Sequence, residues 1–289
     1  MKNVLRLLTA TLVLATTISL AHAGTLYGIS NGFGTAANNQ IYQIDPATGT
    51  ISNSFQVTLA GFTVTSSQAL TAHPTTGVLY GVIQTSGPTT RHLVTIDPST
   101  GVATQIGAFS GLNFASLAFK PDGTLIGVTG NSGTTPETLY SLSTVNATPS
   151  LLLALGNGAD GETIAMHPNG LLYHSSGNSD AFFESVDLGT STVTTLGHQS
   201  GEMFAMGYFP DTGQLLGSDI AGNFFSINIA DGARTAIGTI NSPDDNRGLA
   251  YVATAAAPEP GTLAGRLHIN SSVSSPKTYH PSPLANDDS

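Results

Sequence analysis

Apolar residues along this chain gather in runs of four to six rather than at helical spacing, and the runs repeat in a fixed order. Four of them end in a proline turn: Leu70-Thr71-Ala72-His73-Pro74, Leu117-Ala118-Phe119-Lys120-Pro121, Ile164-Ala165-Met166-His167-Pro168 and Met206-Gly207-Tyr208-Phe209-Pro210. Each is followed by a second run (Leu79-Tyr80-Gly81, Leu125-Ile126-Gly127, Leu172-Tyr173-His174, Leu215-Leu216-Gly217). A third enters a polar turn, as in Val94-Thr95-Ile96-Asp97-Pro98, and a fourth closes on Gly107, Gly156, Gly197 or Gly238. Short runs rich in Val, Ile, Leu, Thr, Phe and Tyr between Gly and Pro read as strands. The prolines at 74, 121, 168 and 210 set a period of roughly 40 to 50 residues, the range of four-stranded propeller blades.

The two ends of the repeat array are incomplete in complementary ways. Thr25-Leu26-Tyr27-Gly28 is a second strand with no first strand before it, and Gly248-Leu249-Ala250-Tyr251-Val252 is a first strand with no blade after it. Pairing them completes a fifth blade and removes the open edges between first and last blades. The expectation is therefore an all-β fold: a five-bladed β-propeller of four-stranded antiparallel blades over residues 24–253, its ring closed by N-terminal strands pairing with a C-terminal strand.

The segments outside the array differ in character. Met1 to Ala23 carries Lys2 and Arg6, an apolar run from Leu7 to Leu20 and then Ala21-His22-Ala23, the pattern of a cleaved secretory signal. The run falls short of the roughly 20 apolar residues a membrane span needs and is broken by Thr11, Thr16 and Thr17, so no stable span is expected in the mature chain. Residues 254–289 open with Ala, Thr and Pro and continue in Ser, Pro, Asn and His, a composition expected to form a linker and a disordered tail.

Charge and cysteine narrow the function. The chain has no cysteine, so an exported domain of this size must hold together by core burial. Its 18 acids against 8 Lys and Arg give a formal charge of −10, a field that repels phosphate backbones and excludes nucleic acid as a partner. Between Gly24 and Val252 the bases are Arg91, Lys120, Arg234 and Arg247.

Two resemblances bear on this chain. The repeated Ile-Asp-Pro-x-Thr-Gly followed by Thr-x-Ile-Gly is similar to exported bacterial β-propellers with quinoprotein-like or YVTN-like blades, which implies the architecture and little about activity. Pro258-Glu259-Pro260-Gly261-Thr262-Leu263-Ala264 resembles the PEP-CTERM sorting signal of exported Gram-negative proteins, a family often associated with extracellular polysaccharide and biofilm. The likeness is degenerate: Gly265-Arg266-Leu267-His268-Ile269-Asn270 stands where that family has a hydrophobic helix, and Lys277 where it has a basic cluster. The resemblances imply a secreted or cell-envelope protein.

In a propeller, the loops leading into each innermost strand converge on the central channel. Aligning the proline turns with the closing strand puts Gln68, Ala115, Glu162, Phe204 and Arg247 at one equivalent position. Two residues earlier stand Ser66, Asn113, Asp160, Glu202 and Asp245, with Asp244 beside the last. The expected mouth gathers Asp160, Glu162, Glu202, Asp244 and Asp245 around Arg247. Two carboxylates at roughly 5 to 10 Å would serve glycoside hydrolysis. Asp160, Glu162, Glu202 and Asp245, with amide oxygens from Asn113 or Gln68, would suit Ca²⁺, which takes about six to eight oxygens. As solvated turn residues of an acidic protein they would bind nothing.

Connections between second and third strands share that face and are made of Gly, Ser, Thr and Asn, which suit carbohydrate hydroxyls. Histidines show no zinc spacing, and no G-x-S-x-G elbow marks a serine hydrolase. The sequence thus points first to an exported, non-enzymatic, monomeric propeller that binds extracellular polysaccharide or a surface protein. A channel-mouth hydrolase or lyase acting on a glycan or lactone, with Ca²⁺, stands as the alternative.

Overall fold

The structure, a computed structural model, describes residues 24–87, 91–131, 133–156, 160–177, 181–199 and 201–254. The secretory and PEP-CTERM-like segments lie outside the described residues. Blade I holds β1 (Thr25–Asn31), β2 (Gln40–Ile44) and β3 (Ile51–Gln56), and a two-residue strand β4 (Thr58–Leu59) follows. Blade II holds β5 (Val64–Ala72), β6 (Leu79–Thr85), β7 (Arg91–Ile96) and β8 (Val102–Phe109). Blade III holds β9 (Phe114–Phe119), β10 (Leu125–Thr129), β11 (Thr138–Leu142) and β12 (Pro149–Ala154). Blade IV holds β13 (Thr163–Met166), β14 (Leu172–Ser175), β15 (Phe182–Asp187) and β16 (Thr192–His198). Blade V holds β17 (Met203–Phe209), β18 (Gln214–Asp219), β19 (Asn223–Ile227) and β20 (Arg234–Thr239), and β21 (Asp245–Val252) ends the array.

Each blade is an antiparallel sheet in sequence order, and the fifth is completed across the termini in the order β21-β1-β2-β3. Leu26 pairs with Tyr251 and Gly28 with Leu249, so the C-terminal strand is the innermost strand of blade I. This is the five-bladed propeller expected, with two additions. The closing strand begins at Asp245 and pairs back to Asn31. Blade II gains β4, which runs parallel to β8 at its outer edge through Thr58↔Val102 and Leu59↔Ala103. The sole helical turn among the described residues is a 3₁₀ turn at Ala36–Asn38.

Strand side chains alternate between two faces, and a blade has a neighbour on each. Five apolar clusters follow, one per blade interface: Ile29, Ile41, Leu79 and Val94 between I and II; Val82, Leu93, Phe114 and Tyr140 between II and III; Ile126, Leu139, Leu172 and Val186 between III and IV; Tyr173, Phe183, Met206 and Phe225 between IV and V; and Tyr42, Leu216, Phe224 and Leu249 between V and I.

The glycine near the end of the outer strands is a contact residue. A Cβ at Gly107, Gly197 or Gly238 would sit 2.4, 2.2 or 1.9 Å from the backbone carbonyl oxygen of Asn146, Asp231 or Thr48, each in the polar turn of the next blade. The repeat thus encodes both the blade and its joint to the next.

Candidate functional site

One end of the channel carries the proline turns and the other the connections from second to third strands; we call these the lower and upper mouths. The upper mouth encloses a cavity of about 560 Å³. All five aligned positions, Gln68, Ala115, Glu162, Phe204 and Arg247, line it, as do Ser66, Asn113, Asp160 and Glu202. Asp244 and Asp245 do not: Asp244 accepts a hydrogen bond from Asn38 Nδ2 at 3.3 Å, and Asp245 is fixed in the ladder opposite Asn31.

Arg247 organises the centre. Its Nη1 donates to Glu162 Oε1, and its Nη2 reaches Asp245 Oδ2 at 3.4 Å. The guanidinium carbon lies 3.5 Å from the ring centroid of Phe204 and 5.4 Å from that of Phe33. Stacking on aromatic faces and a carboxylate partner together immobilise the group. Burial pushes the Glu162 carboxyl up to about 8 although Arg247 pulls the other way, and burial likewise raises Asp160 against the N–H that Asn131 donates to its Oδ1 at 2.8 Å. Gln68 is held by its own hydrogen bond to the Phe114 carbonyl.

Sequence reasoning missed Phe33 and Asn131 on the connections, and Gln84 and Arg91 at the facing ends of β6 and β7, all of which wall the same cavity. Phe33 is 61% exposed at the rim. Its φ of +42° lies in the left-handed region, where a bulky residue is strained, and such outliers gather at functional sites. The available signal was an aromatic between two glycines, Gly32-Phe33-Gly34.

Among the described residues no group of three or more His, Cys, Asp or Glu is arranged to hold a metal ion. Of the set Asp160, Glu162, Glu202 and Asp245, Glu162 and Asp245 are engaged by the Arg247 guanidinium. His73 and His167 sit in the proline turns, where their Nδ1 atoms accept backbone N–H bonds from Thr75 and Asn169. No helix among the described residues is long and apolar enough to cross a membrane.

A family pattern matches residues 51–253. The chain belongs to the family described as a repeat of unknown function (DUF6923). No curated protein matches it. Among solved structures, this DUF6923 chain is similar to a chain of the crystal structure of the nidogen/laminin complex, at 10% identity and a TM-score of 0.55, covering 80% of this chain and 98% of that one. It is also similar to TolB from Acinetobacter baumannii, at 13% identity and a TM-score of 0.50, covering 80% of this chain and 67% of that one. At such identities the likeness establishes the fold alone.

Proposed function

We propose that this protein is an exported, non-enzymatic, monomeric propeller of a Gram-negative bacterial envelope or biofilm that binds extracellular polysaccharide in its upper mouth. The single observation that carries the reading is the lining of the 560 Å³ cavity: an exposed aromatic at the rim, Phe33, above a wall of amides from Asn31, Gln68, Gln84, Asn113 and Asn131. Sugars present an apolar face that stacks on aromatic rings and hydroxyls that both donate and accept, which is what amides do in return. Export rests on the signal-like Met1 to Ala23, and the envelope setting on the resemblance around Pro258-Glu259-Pro260.

The observation favouring a hydrolase is the raised Glu162, as a proton donor needs a raised pKa. Arg247 grips that carboxyl, however, and holds it to a structural task. Both readings are tested by titrating neutral bacterial exopolysaccharide fragments into the protein while following their integrity. Saturable binding without cleavage, lost in Phe33→Ala at unchanged melting temperature, supports the binder; turnover abolished by Glu162→Gln supports the hydrolase.

A further inference from the structure

One position separates blade IV from the other four. In blades I, II, III and V the third residue of the second run is glycine, paired across the sheet with a bulky apolar residue: Gly28 with Tyr42, Gly81 with Val94, Gly127 with Tyr140 and Gly217 with Phe225. These glycines lie under large side chains; a Cβ on Gly28 would come within 2.5 Å of the Tyr42 ring and one on Gly127 within 2.6 Å of Phe114. In blade IV the same pair is His174 and Glu184. Both side chains are fully buried, with His174 Nδ1 3.2 Å from Glu184 Oε2 and the Thr195 hydroxyl donating to Glu184 Oε1 at 3.2 Å. Leu172 and Val186, which share that face of the sheet, pack in the core against blade III, so the acid–imidazole pair faces blade III as well.

Blade III answers with Glu137, which precedes β11. It is 2% exposed, neither carboxyl oxygen has a hydrogen-bond partner, and its backbone is left-handed at φ +52°. His174 Nε2 is likewise buried and unpartnered. A strained backbone, a buried acid without donors and a departure from the repeat thus meet at one of five interfaces.

We infer that Glu137, facing the His174–Glu184 pair, forms a proton-dependent latch between blades III and IV, closed while Glu137 holds a proton and loosened when it ionises. An ionised carboxylate buried without donors costs several times what a protonated one does. The groups acting on Glu137 from the elements around it are Glu184 on β15 and Asp160 before β13, while His174 on β14 pairs with Glu184 and acts on Asp160. Asp160 in turn faces Glu202 and Arg247 in the upper mouth. The two acids that act directly on Glu137, Glu184 and Asp160, both repel an added negative charge. Burial, followed by the fields of Glu184 and Asp160, pushes Glu137 up to about 7, so the latch titrates in the neutral range. The sign is set by linkage: a carboxyl whose folded pKa is raised contributes stability that is complete below its unfolded value near 4.5 and is lost as pH rises through about 7. Glu137 also ends the connection whose Gly130 and Asn131 wall the upper cavity, so loosening reaches the mouth.

The test uses the ligand-free full chain, so its outcome is independent of the polysaccharide reading. Hydrogen exchange is followed at pH 6 and pH 8.5 and corrected for the intrinsic rate. Peptides covering β10, β11, β14 and β15 should lose protection at least about tenfold at pH 8.5 while those covering β2 and β6 do not. Glu137→Gln, an isosteric neutral form, should keep protection at both values and raise the melting temperature at pH 8.5 by about 3 to 6 °C, with little change at pH 5. Equal loss of protection in Glu137→Gln, or no loss in the wild type, overturns the latch. If the variant does not fold, the carboxyl ¹³C shift of Glu137 in the wild type decides: protonated at pH 6 supports the proposal, and ionised at pH 6 overturns it.

Discussion

The two mouths of the central channel are built from the same five innermost strands, β5, β9, β13, β17 and β21, and differ in almost every other respect. The lower mouth opens a cavity of about 900 Å³ lined by Leu117, Phe119, Met166, Met206, Tyr208 and Leu249, with the proline turns of several blades around it. The upper mouth is smaller and lined by amides, acids, two arginines and two phenylalanines. Below, equivalent positions in different blades hold similar residues; above, they hold Gln68, Ala115, Glu162, Phe204 and Arg247. The lesson is that the repeat's constraints are spent at one end. Turn and core requirements fix the lower residues alike in each blade, whereas the upper positions are free to differ and so can specify a ligand.

The largest expected effect breaks both mouths together. Strand β21 supplies Arg247 above and Leu249 to Val252 below, so deleting residues 248–252 should abolish cooperative unfolding and cause aggregation through the edge of β1, seen by calorimetry and light scattering. A deletion variant that stays soluble with unchanged melting would contradict ring closure.

Next, the lower mouth is scaffold. Met206 is buried in the core between blades IV and V, so Met206→Ala should cost about 2 to 4 kcal/mol in denaturant unfolding while the folded fraction binds polysaccharide as the wild type does. A weaker affinity per folded molecule would place ligand recognition at the wrong end.

Smaller again is the effect of pH on the upper mouth. Glu162, raised to about 8, holds its proton more tightly when folded, so its contribution to stability is present below about 4.5 and is lost as pH rises through 8. Melting temperature should therefore fall between pH 6 and pH 9, and Glu162→Gln should flatten that fall even after Glu137 has been changed to Gln. An unchanged slope would show that Glu162 is ionised throughout.

The smallest effect on stability falls at the rim. Phe33→Gly removes an exposed ring from a left-handed backbone that glycine adopts without strain, so the melting temperature should move by no more than about 2 °C and upward rather than down. Binding is where this change should register.

The same contrast explains what was legible in the sequence. The propeller could be read because four blades carry the proline turn, four end their outer strand near a glycine, and two share the Asp-Pro-x-Thr-Gly turn. The ring of Gln68, Ala115, Glu162, Phe204 and Arg247 could be read because register fixes one residue per blade at the channel. Phe33 and Asn131 lie on connections, and Gln84 and Arg91 at the strand ends that flank one; these connections differ in length and composition between blades, so no alignment brings those residues to the cavity. The same alignment set Asp244 and Asp245 at the mouth; Asp245 reaches it only through Nη2 of Arg247, and Asp244 is taken by Asn38. Glu137 and Glu184 were invisible as neighbours, since they lie on different blades and come together only through packing.

The central claim, that recognition belongs to the upper mouth, is tested most directly by calorimetric titration of one exopolysaccharide fragment into Phe33→Ala and Met206→Ala at matched folded concentrations. The account predicts that Phe33→Ala loses at least about tenfold in affinity, worth about 1.4 kcal/mol, while Met206→Ala binds as the wild type does. Retained affinity in Phe33→Ala, or loss confined to Met206→Ala, would contradict it.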